Sequence, residues 1–238
     1  GLAVISAGPI VYGIPSRLTA TIGPGTKGAL DIEQAAELSG QIHTKGFHIL
    51  GGLLRHLLPT PHPLVFDASL AFEQSYGRID GDSASGAQTV CLLSALTGVP
   101  IRQDLAITGA IDQRGNLQAI GAATEKIEGF FDVCDELGML PESGSPGSMP
   151  LEASGASVPG VVIPAANASD LMLRPDVVAA CAAGRFAVHA VATVTEALEL
   201  FAGRGAGRRD GAGNYPADSI LGMASARAAE FWDQVRRA

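Results

Sequence analysis

Hydrophobic and polar positions follow two different periods along the chain. Residues 64–74 alternate between apolar and polar side chains, as in a half-buried strand, and residues 3–22 predict two further strands around a turn at 12–15. Residues 83–97 carry very little charge and are apolar on nearly every side, which is typical of a buried helix. Strands and helices follow each other without a strict βαβα order. The pattern therefore predicts an α+β fold with mixed sheets and packed helices.

Glycines, prolines and capping residues set the expected ends of the remaining elements. Strands are predicted at 105–111 and 117–120 around a hairpin turn at 113–116, at 160–164 and at 186–191. Helices are predicted from an Asp31 N-cap to about Leu58, from a Thr124 cap to about Leu137, and at 175–183, 195–202 and 217–237. A stretch rich in Ser, Gly and Pro at about 141–159 predicts a surface loop, and the Gly-rich, basic residues 203–216 predict a linker to a C-terminal amphipathic helix in 217–238.

Composition excludes several classes of protein. Hydrophobic residues make up 47% of the 238 positions and charged residues 17%, which is enough apolar material for a sizeable core. A net charge of −8 argues against a nucleic-acid surface, and no apolar run is long enough to predict a membrane span. Cys91, Cys134 and Cys181 lie too far apart for a disulfide framework or a zinc site. A cytoplasmic protein without a metal site is therefore expected.

One serine stands where chemistry is possible. Ser83 lies within residues 80–86, between a glycine-containing turn and the first turn of the predicted buried helix. Free backbone N–H groups and the positive end of a helix suit an anionic tetrahedral intermediate. A serine at this place is also an ordinary helix cap, and spacing alone favours the cap.

A serine nucleophile needs a base, and none of the five histidines lies in a recognisable catalytic motif. Lys126 lies near the start of an otherwise apolar helix. A dry pocket and the helix end would lower its pKa from about 10.4 towards roughly 7–8, where lysine acts as a base. The residues alone still favour a solvated lysine between Glu125 and Glu128.

Four motifs in a fixed order change this balance. They lie at residues 72–76, 80–85, 106–109 and 125–130, and Lys126 follows Ser83 by 43 positions. This order and spacing resemble the Lon protease proteolytic domain, most of all its archaeal and Lon-like bacterial branches. The resemblance covers residues 1–202 and implies the Lon proteolytic-domain fold.

The resemblance also implies roles for individual residues. Ser83 corresponds to the nucleophile, Lys126 to its general base, and Thr108 to a threonine that hydrogen-bonds the lysine. Asp80 corresponds to an acidic residue that shapes the active-site loop, although a loop-capping aspartate explains it equally well. The substrate is expected to lie along an exposed strand by β-augmentation, at Phe72, Glu73, Gln74, Ser75 and Tyr76.

The implied activity is that of a serine endopeptidase that cleaves unfolded or extended polypeptides through an acyl-enzyme, within a hexameric ring. Since the chain has no phosphate-loop motif, ATP would be used only by an ATPase module upstream. The missing initiator methionine likewise leads us to expect a domain of a longer polypeptide. Two alternatives stay open: a catalytically retired Lon-like domain that serves assembly or substrate binding, and another class of amidohydrolase that uses Ser83 with Ser85 or Asp82.

Overall fold

The computed structural model describes residues 1–73, 75, 77–142 and 157–237. The strands are β1 Leu2–Ala7, β2 Ile10–Pro15, β3 Leu18–Gly23, β4 Gly28–Asp31, β5 Asp67–Phe72, β6 Leu105–Ile107, β7 Ala110–Ile111, β8 Leu117–Gln118, β9 Gly160–Pro164 and β10 Ala187–Val191. The helices are α1 Ile32–Ala35, α2 Gln41–Leu57, α3 Ser85–Thr97, α4 Ala123–Glu136, α5 Pro175–Ala182, α6 Val194–Ala202 and α7 Ile220–Arg237, with a 3₁₀ helix at Ala165–Asp170.

Both parallel and antiparallel pairing occur among these strands. In one sheet the central strand β5 pairs antiparallel with β3 and parallel with β4. In a second sheet β9 pairs in parallel with both β6 and β10. β1 and β2 form an antiparallel hairpin, and β7 and β8 form a short antiparallel pair. The prediction of an α+β fold with mixed sheets and packed helices is therefore confirmed.

Helix α3 is the centre of the larger hydrophobic core. It carries no charged residue, and Val90, Leu92 and Leu93 are almost completely buried. Strand β3 and helices α2, α6 and α7 surround it, so apolar side chains are needed on every face of the helix. Each fully buried aliphatic side chain contributes roughly 1.5–3 kcal/mol to folding. The segment that leads into α3, including Ser83, is thereby attached to a helix buried in the larger core.

Helix α4 belongs to a second, smaller core. Its residues Ile127, Phe130 and Phe131 pack with Val161 and Phe186, which come from the sheet formed by β6, β9 and β10 and its connections. The two cores meet at β6, since Ile107 belongs to the larger cluster and Ala106 to the smaller one. A site between α3 and α4 therefore lies at the junction of two packed layers.

The predicted helix that runs from Asp31 to Leu58 is wrong in its first part. Asp31 caps only the short helix α1, where its carboxylate accepts a hydrogen bond from the Glu33 N–H group. Residues 38–40 then pair with Ile79 by backbone hydrogen bonds, and α2 begins after Gly40. This pairing is not local in sequence, so helical periodicity could not reveal it.

Three other boundaries differ from the expectation. Residues 12–15 are not a turn but the end of β2, because the chain reverses at Gly8, whose positive φ suits a turn. Residues 105–120 do not form one hairpin, because β6 pairs with β9 in another sheet. Thr124 does not cap α4; Ala122 is the N-cap residue, and the Thr124 hydroxyl accepts a hydrogen bond from Met172.

The C-terminal residues pack on the larger core. Helix α7 begins at Ile220 rather than at 217, and it buries Leu221, Ala224 and Phe231 against that core. Ala206, within the predicted linker, is buried in the same cluster. Of the predicted loop at 141–159, residues 143–156 lie outside the described part of the chain. None of the described helices is long and apolar enough to cross a membrane.

Candidate active site

Ser83 and the start of α3 are tied by backbone hydrogen bonds to Gly109, which lies between β6 and β7. Its carbonyl oxygen accepts a hydrogen bond from the Gly109 N–H group at 2.8 Å. The Gly109 carbonyl in turn accepts from the N–H group of Gly86, in the first turn of α3, at 3.0 Å. The loop before the serine and the helix after it are therefore held against the segment that follows β6. The Ser83 side chain itself is partly exposed.

Lys126 reaches Ser83 from the opposite wall of the site. It lies in the first turn of α4 and only 4% of its surface is exposed. Its Nζ atom donates to the Ser83 Oγ atom at 2.9 Å and to the Thr108 Oγ1 atom at 3.0 Å. Thr108 is fully buried at the end of β6, where its N–H group bonds to the Val162 carbonyl. The structure thus brings together three residues that the resemblance had linked, while their catalytic roles stay predictions.

The environment of Lys126 favours the neutral amine. Burial lowers the pKa of Lys126 from 10.5 to about 8, and the charge of Asp82 opposes this shift only in part. No carboxylate of the described residues forms an ion pair with the amine. Glu128 points elsewhere, since its carboxylate accepts a hydrogen bond from the Arg174 N–H group. A lysine in these surroundings is able to take a proton from a neighbouring hydroxyl near neutral pH.

Two glycines allow α4 to lie directly on the β1–β2 hairpin. A Cβ atom on Gly13 would overlap the backbone of Glu125 and Lys126, and a Cβ atom on Gly129 would overlap the backbone of Gly13. Strand and helix backbones therefore touch without side chains between them. This contact sets the distance of α4, and of Lys126 with it, from the hairpin.

Asp80 shapes the approach to Ser83 without touching Lys126. Its Oδ1 atom accepts hydrogen bonds from the N–H groups of Ile42 at 3.2 Å and His43 at 3.3 Å, at the start of α2, and from Gly81 at 2.8 Å. The Gly81 hydrogen bond, with those from α2, holds the pKa of this exposed carboxyl below its usual value. Asp80 thus caps α2 and anchors the loop that carries the serine.

Ser85, the competing serine, is already engaged. It is buried, its hydroxyl donates to the Asp82 carbonyl at 2.7 Å, and the same oxygen accepts from the Ile111 N–H group at 3.0 Å. With both its donor and an acceptor site used by the backbone, Ser85 is suited to bracing the start of α3.

A cavity of about 580 Å³ opens in front of Ser83 and Lys126. Of the residues expected to bind substrate, Phe72 and Ser75 line this cavity, whereas Glu73 turns aside and accepts a hydrogen bond from Thr19. Gln74 and Tyr76 lie outside the described residues. Phe72 itself pairs with Leu18 of β3 and donates its N–H group to Glu33 Oε1, whereas β4 pairs with β5 only as far as Leu70. Substrate binding at residues 72–76 stays a prediction.

A different strand offers a free edge to the same cavity. Gly1 and Ser16 exchange both backbone hydrogen bonds, so in the antiparallel register the odd residues of β1 face β2. The N–H and C=O groups of Leu2 and Val4 therefore point away from β2, and no other strand of the described residues pairs with β1. Leu2 to Ile5 line the cavity. The sequence pattern does not reveal this edge, because hydrophobic alternation predicts a strand but not which of its edges stays unpaired.

The comparison with known sequences now defines the class. Residues 77–130, which include Ser83, Thr108 and Lys126, match the family of the Lon protease (S16) C-terminal proteolytic domain. The chain is 42% identical over 192 residues to a "Putative Lon protease homolog" of Escherichia coli strain K12, covering 81% of this chain and 30% of that protein. It is 40% identical over 206 residues to a protein of the same name from Haemophilus influenzae, covering 86% and 32%.

An archaeal relative extends the similarity. The chain is 37% identical over 139 residues to an "Archaeal Lon protease" of Methanocaldococcus jannaschii, covering 54% of this chain and 20% of the relative. The chain spans about a third or less of the length of these curated relatives. Its family is nevertheless plain: the chain carries a Lon-type proteolytic domain.

Proposed function

We propose that this domain is a serine endopeptidase in which Ser83 is the nucleophile and Lys126 the general base. The observation that carries the proposal is the 2.9 Å hydrogen bond between Lys126 Nζ and Ser83 Oγ, made by a buried lysine whose pKa is lowered to about 8. At pH 7 such a lysine is neutral in roughly a tenth of the molecules, against about one in 2,500 for free lysine.

The reaction would run as an acyl transfer in two stages. Neutral Lys126 takes the Ser83 proton while Oγ attacks the peptide carbonyl carbon, and the carbonyl π electrons move to oxygen. Collapse of this tetrahedral intermediate breaks the C–N bond, and the proton on Lys126 passes to the leaving amine. Water, deprotonated by the same lysine, then attacks the ester carbon, and Ser83 leaves with the proton. Thr108 accepts a hydrogen bond from Nζ and keeps the amine aimed at Ser83.

Backbone groups at the start of α3 are suited to hold the oxyanion. Within the described chain, the N–H groups of Ser83 and Ala84 donate no hydrogen bond to the protein. The positive end of the α3 dipole lies beside them. Donors fixed in this way before the reaction stabilise negative charge without reorganising, which typically contributes about 3–4 kcal/mol per donor.

The substrate we propose is an extended polypeptide segment that pairs with the open edge of β1. Most backbone N–H and C=O groups of a folded protein are already paired, so an extended segment suits this pairing best. The two-residue repeat of Leu2 and Val4 would bind alternate residues of the peptide and bring its carbonyl to Ser83. A hexameric ring and ATP use by an upstream module stay predictions for the longer protein.

Cleavage of an unfolded substrate tests the chemistry. Wild-type protein should degrade unfolded casein, whereas Ser83→Ala, Lys126→Arg and Lys126→Ala should each lose at least ~1,000-fold in kcat/KM. Arginine stays protonated and is unable to accept the serine proton, so Lys126→Arg separates basicity from charge. Casein bound but never cleaved by the wild type would instead support a retired binding domain. Near-normal turnover by folded Lys126→Arg would overturn the dyad.

A matched pair of substitutions tests the β1 edge. Val4→Pro removes the N–H group that points to the cavity, but it leaves the pairing with β2 intact because Val4 is not hydrogen-bonded across the hairpin. We expect KM to rise about tenfold or more, since one main-chain hydrogen bond to the substrate is lost. Val4→Ala keeps the N–H group and serves as the control. Equal KM values for the two variants would remove β1 from the substrate site.

A further inference from the structure

The segment between β8 and α4 forms both a wall of the cavity and the start of the lysine helix. Gly121 and Ala122 line the cavity in front of Ser83. Ala122 has φ 56 and ψ 39, a left-handed conformation that costs a non-glycine residue about 1 kcal/mol or more. The Lys126 N–H group bonds to the Ala122 carbonyl. A strained residue directly before α4 needs an outside constraint to hold it.

Asn167 supplies that constraint. It lies in the 3₁₀ helix after β9, and only 7% of its surface is exposed. Its Oδ1 atom accepts from the Ile120 N–H group at 3.0 Å, and its Nδ2 atom donates to the Ile120 carbonyl at 2.9 Å. The side-chain amide thus satisfies both backbone groups of one residue, as a neighbouring strand would. Its hydrogen bonds within the described chain go to Ile120 alone.

The residues that follow Asn167 in sequence form further hydrogen bonds to side chains of α4. The Met172 N–H group donates to Thr124 Oγ1 at 3.4 Å, and the Arg174 N–H group donates to Glu128 Oε1 at 2.7 Å. The Arg174 guanidinium then pairs with Asp132, one helical turn further on. Residues 167–174 are therefore fixed to the segment before α4 and to successive turns of the helix. Among these contacts, Asn167 is the one that acts on the strained entry.

We propose that Asn167 is a positioning residue for the peptidase reaction: through Ile120 it fixes the wall formed by Gly121 and Ala122 and the orientation of Lys126 towards Ser83. The inference rests on the proposed function, but its physical content is the placement of α4. Without the amide, the two backbone groups of Ile120 lose their partner among the described residues, and Ala122 is free to relax to a right-handed conformation. Relaxation would turn the first helical turn and carry Nζ away from Ser83.

Kinetics of three variants in the full-length protein test the proposal. Asn167→Ala removes both hydrogen bonds and should lower kcat at least tenfold with a smaller change in KM. Asn167→Asp keeps an acceptor for the Ile120 N–H group but places an oxygen against its carbonyl, and should also lose activity. Ser169→Ala is the control, because among the described residues this exposed hydroxyl in the same 3₁₀ helix hydrogen-bonds only to Asp170; it should keep wild-type values.

The pH profile separates positioning from mere loss of folded protein. If Asn167→Ala admits water around Lys126, the apparent pKa of kcat/KM should rise from about 8 towards that of ordinary lysine. Activity lost only in proportion to the folded fraction, with an unmoved profile, would overturn the proposal, as would wild-type kcat. If Asn167→Ala does not fold, Asn167→Asp carries the same measurement.

A readout without turnover keeps the two proposals apart. The pKa of Lys126, followed by NMR of the lysine side-chain nitrogen in the Ser83→Ala background, reports the placement of α4 directly. A raised pKa in Asn167→Ala, seen even if the wild type proves unable to cleave casein, would uphold the role of Asn167 while the proposed function fails. An unchanged pKa of Lys126 in Asn167→Ala would contradict the positioning role, whatever the activity of the variant.

Discussion

Two buried polar clusters contact the loop that leads to Ser83, and the pKa of the base is shifted in opposite directions in the two. In one, Lys126 donates to the hydroxyls of Ser83 and Thr108. In the other, the His43 Nε2 atom lies 2.8 Å from the Asp31 Oδ2 atom, with both side chains almost completely buried. Burial lowers the pKa of Lys126 to about 8, and the charge of Asp82 opposes this shift only in part.

Burial alone would lower the pKa of His43 as well, but the outcome there is reversed. The hydrogen bond and the charge of Asp31, with a further contribution from Glu33, outweigh the burial and raise the pKa of His43. Burial is thus not what decides whether a buried base is charged. The decision depends on whether a carboxylate or a neutral hydroxyl accepts its hydrogen bond.

The second cluster braces the loop. Glu33 Oε1 accepts a hydrogen bond from the Phe72 N–H group at the end of β5, and the His43 N–H group donates to Asp80. Its contacts therefore reach both ends of the segment 73–80. One cluster lowers the pKa of its base, and the other raises the pKa of its base.

The largest effect should come from giving Lys126 a carboxylate partner, as His43 has in Asp31. Thr108→Asp would place a carboxylate against Lys126 Nζ, stabilise the ammonium and raise the pKa of Lys126. We expect kcat/KM at pH 8 to fall by about 1,000-fold or more, because the ion pair removes the free base. Thr108→Ser keeps the hydroxyl and should stay within roughly tenfold of the wild type. Equal activity of the folded Asp and Ser variants would show that the hydroxyl partner does not decide the protonation of Lys126.

Removing the base from the second cluster should lower the stability of the fold. His43→Gln leaves the Asp31 carboxylate buried with a neutral partner, and we expect the free energy of unfolding to drop by about 3 kcal/mol. Because the folded-state pKa of His43 is raised, this stabilisation is fully present below the ordinary histidine pKa and is lost as pH rises through the raised value. Denaturant unfolding of the variant and the wild type at several pH values measures this. His48→Gln, at an exposed position of the same helix, should change little.

A smaller loss should follow from displacing α4 without changing any charge. Gly13→Ala would push the added methyl group into the backbone of Lys126, and α4 must move away. We expect kcat to fall between tenfold and roughly 100-fold, as a shift of about 1 Å typically does. Gly23→Ala is the control, because a Cβ atom there meets open space. Wild-type kcat in Gly13→Ala would show that the hairpin contact does not set the position of Lys126.

The sequence carried more information about the residues of the candidate site than about the contacts that hold them in place. The motifs around Ser83, Thr108 and Lys126 bring these residues to notice, and the unbroken apolar pattern of 83–97 predicts the buried helix α3. The break at residues 36–40 escaped prediction because it depends on pairing with Ile79, which no local pattern records. The open edge of β1 depends on hydrogen-bond alternation, and the role of Asn167 on a contact 47 residues away. These features follow from tertiary contacts.

The smallest effect should come from removing the charge of Asp82, which acts on the pKa of Lys126. Asp82 is partly exposed and raises the pKa of Lys126 against the larger effect of burial. Its carbonyl, not its carboxylate, receives the hydrogen bonds from Ser85, so Asp82→Asn should leave the turn intact. Without the carboxylate the ammonium loses its stabilising charge, and the rise of kcat/KM with pH should move to lower pH by less than about one unit. Activity at pH 7 would then increase by a few-fold at most, since solvent screens a charge at this depth.

The control is Glu125→Gln, next to Lys126 in sequence but on the hairpin side of α4, which should leave the pH profile unchanged. A shift of the pH profile with Glu125→Gln and none with Asp82→Asn would show that a carboxylate other than Asp82 raises the pKa of Lys126.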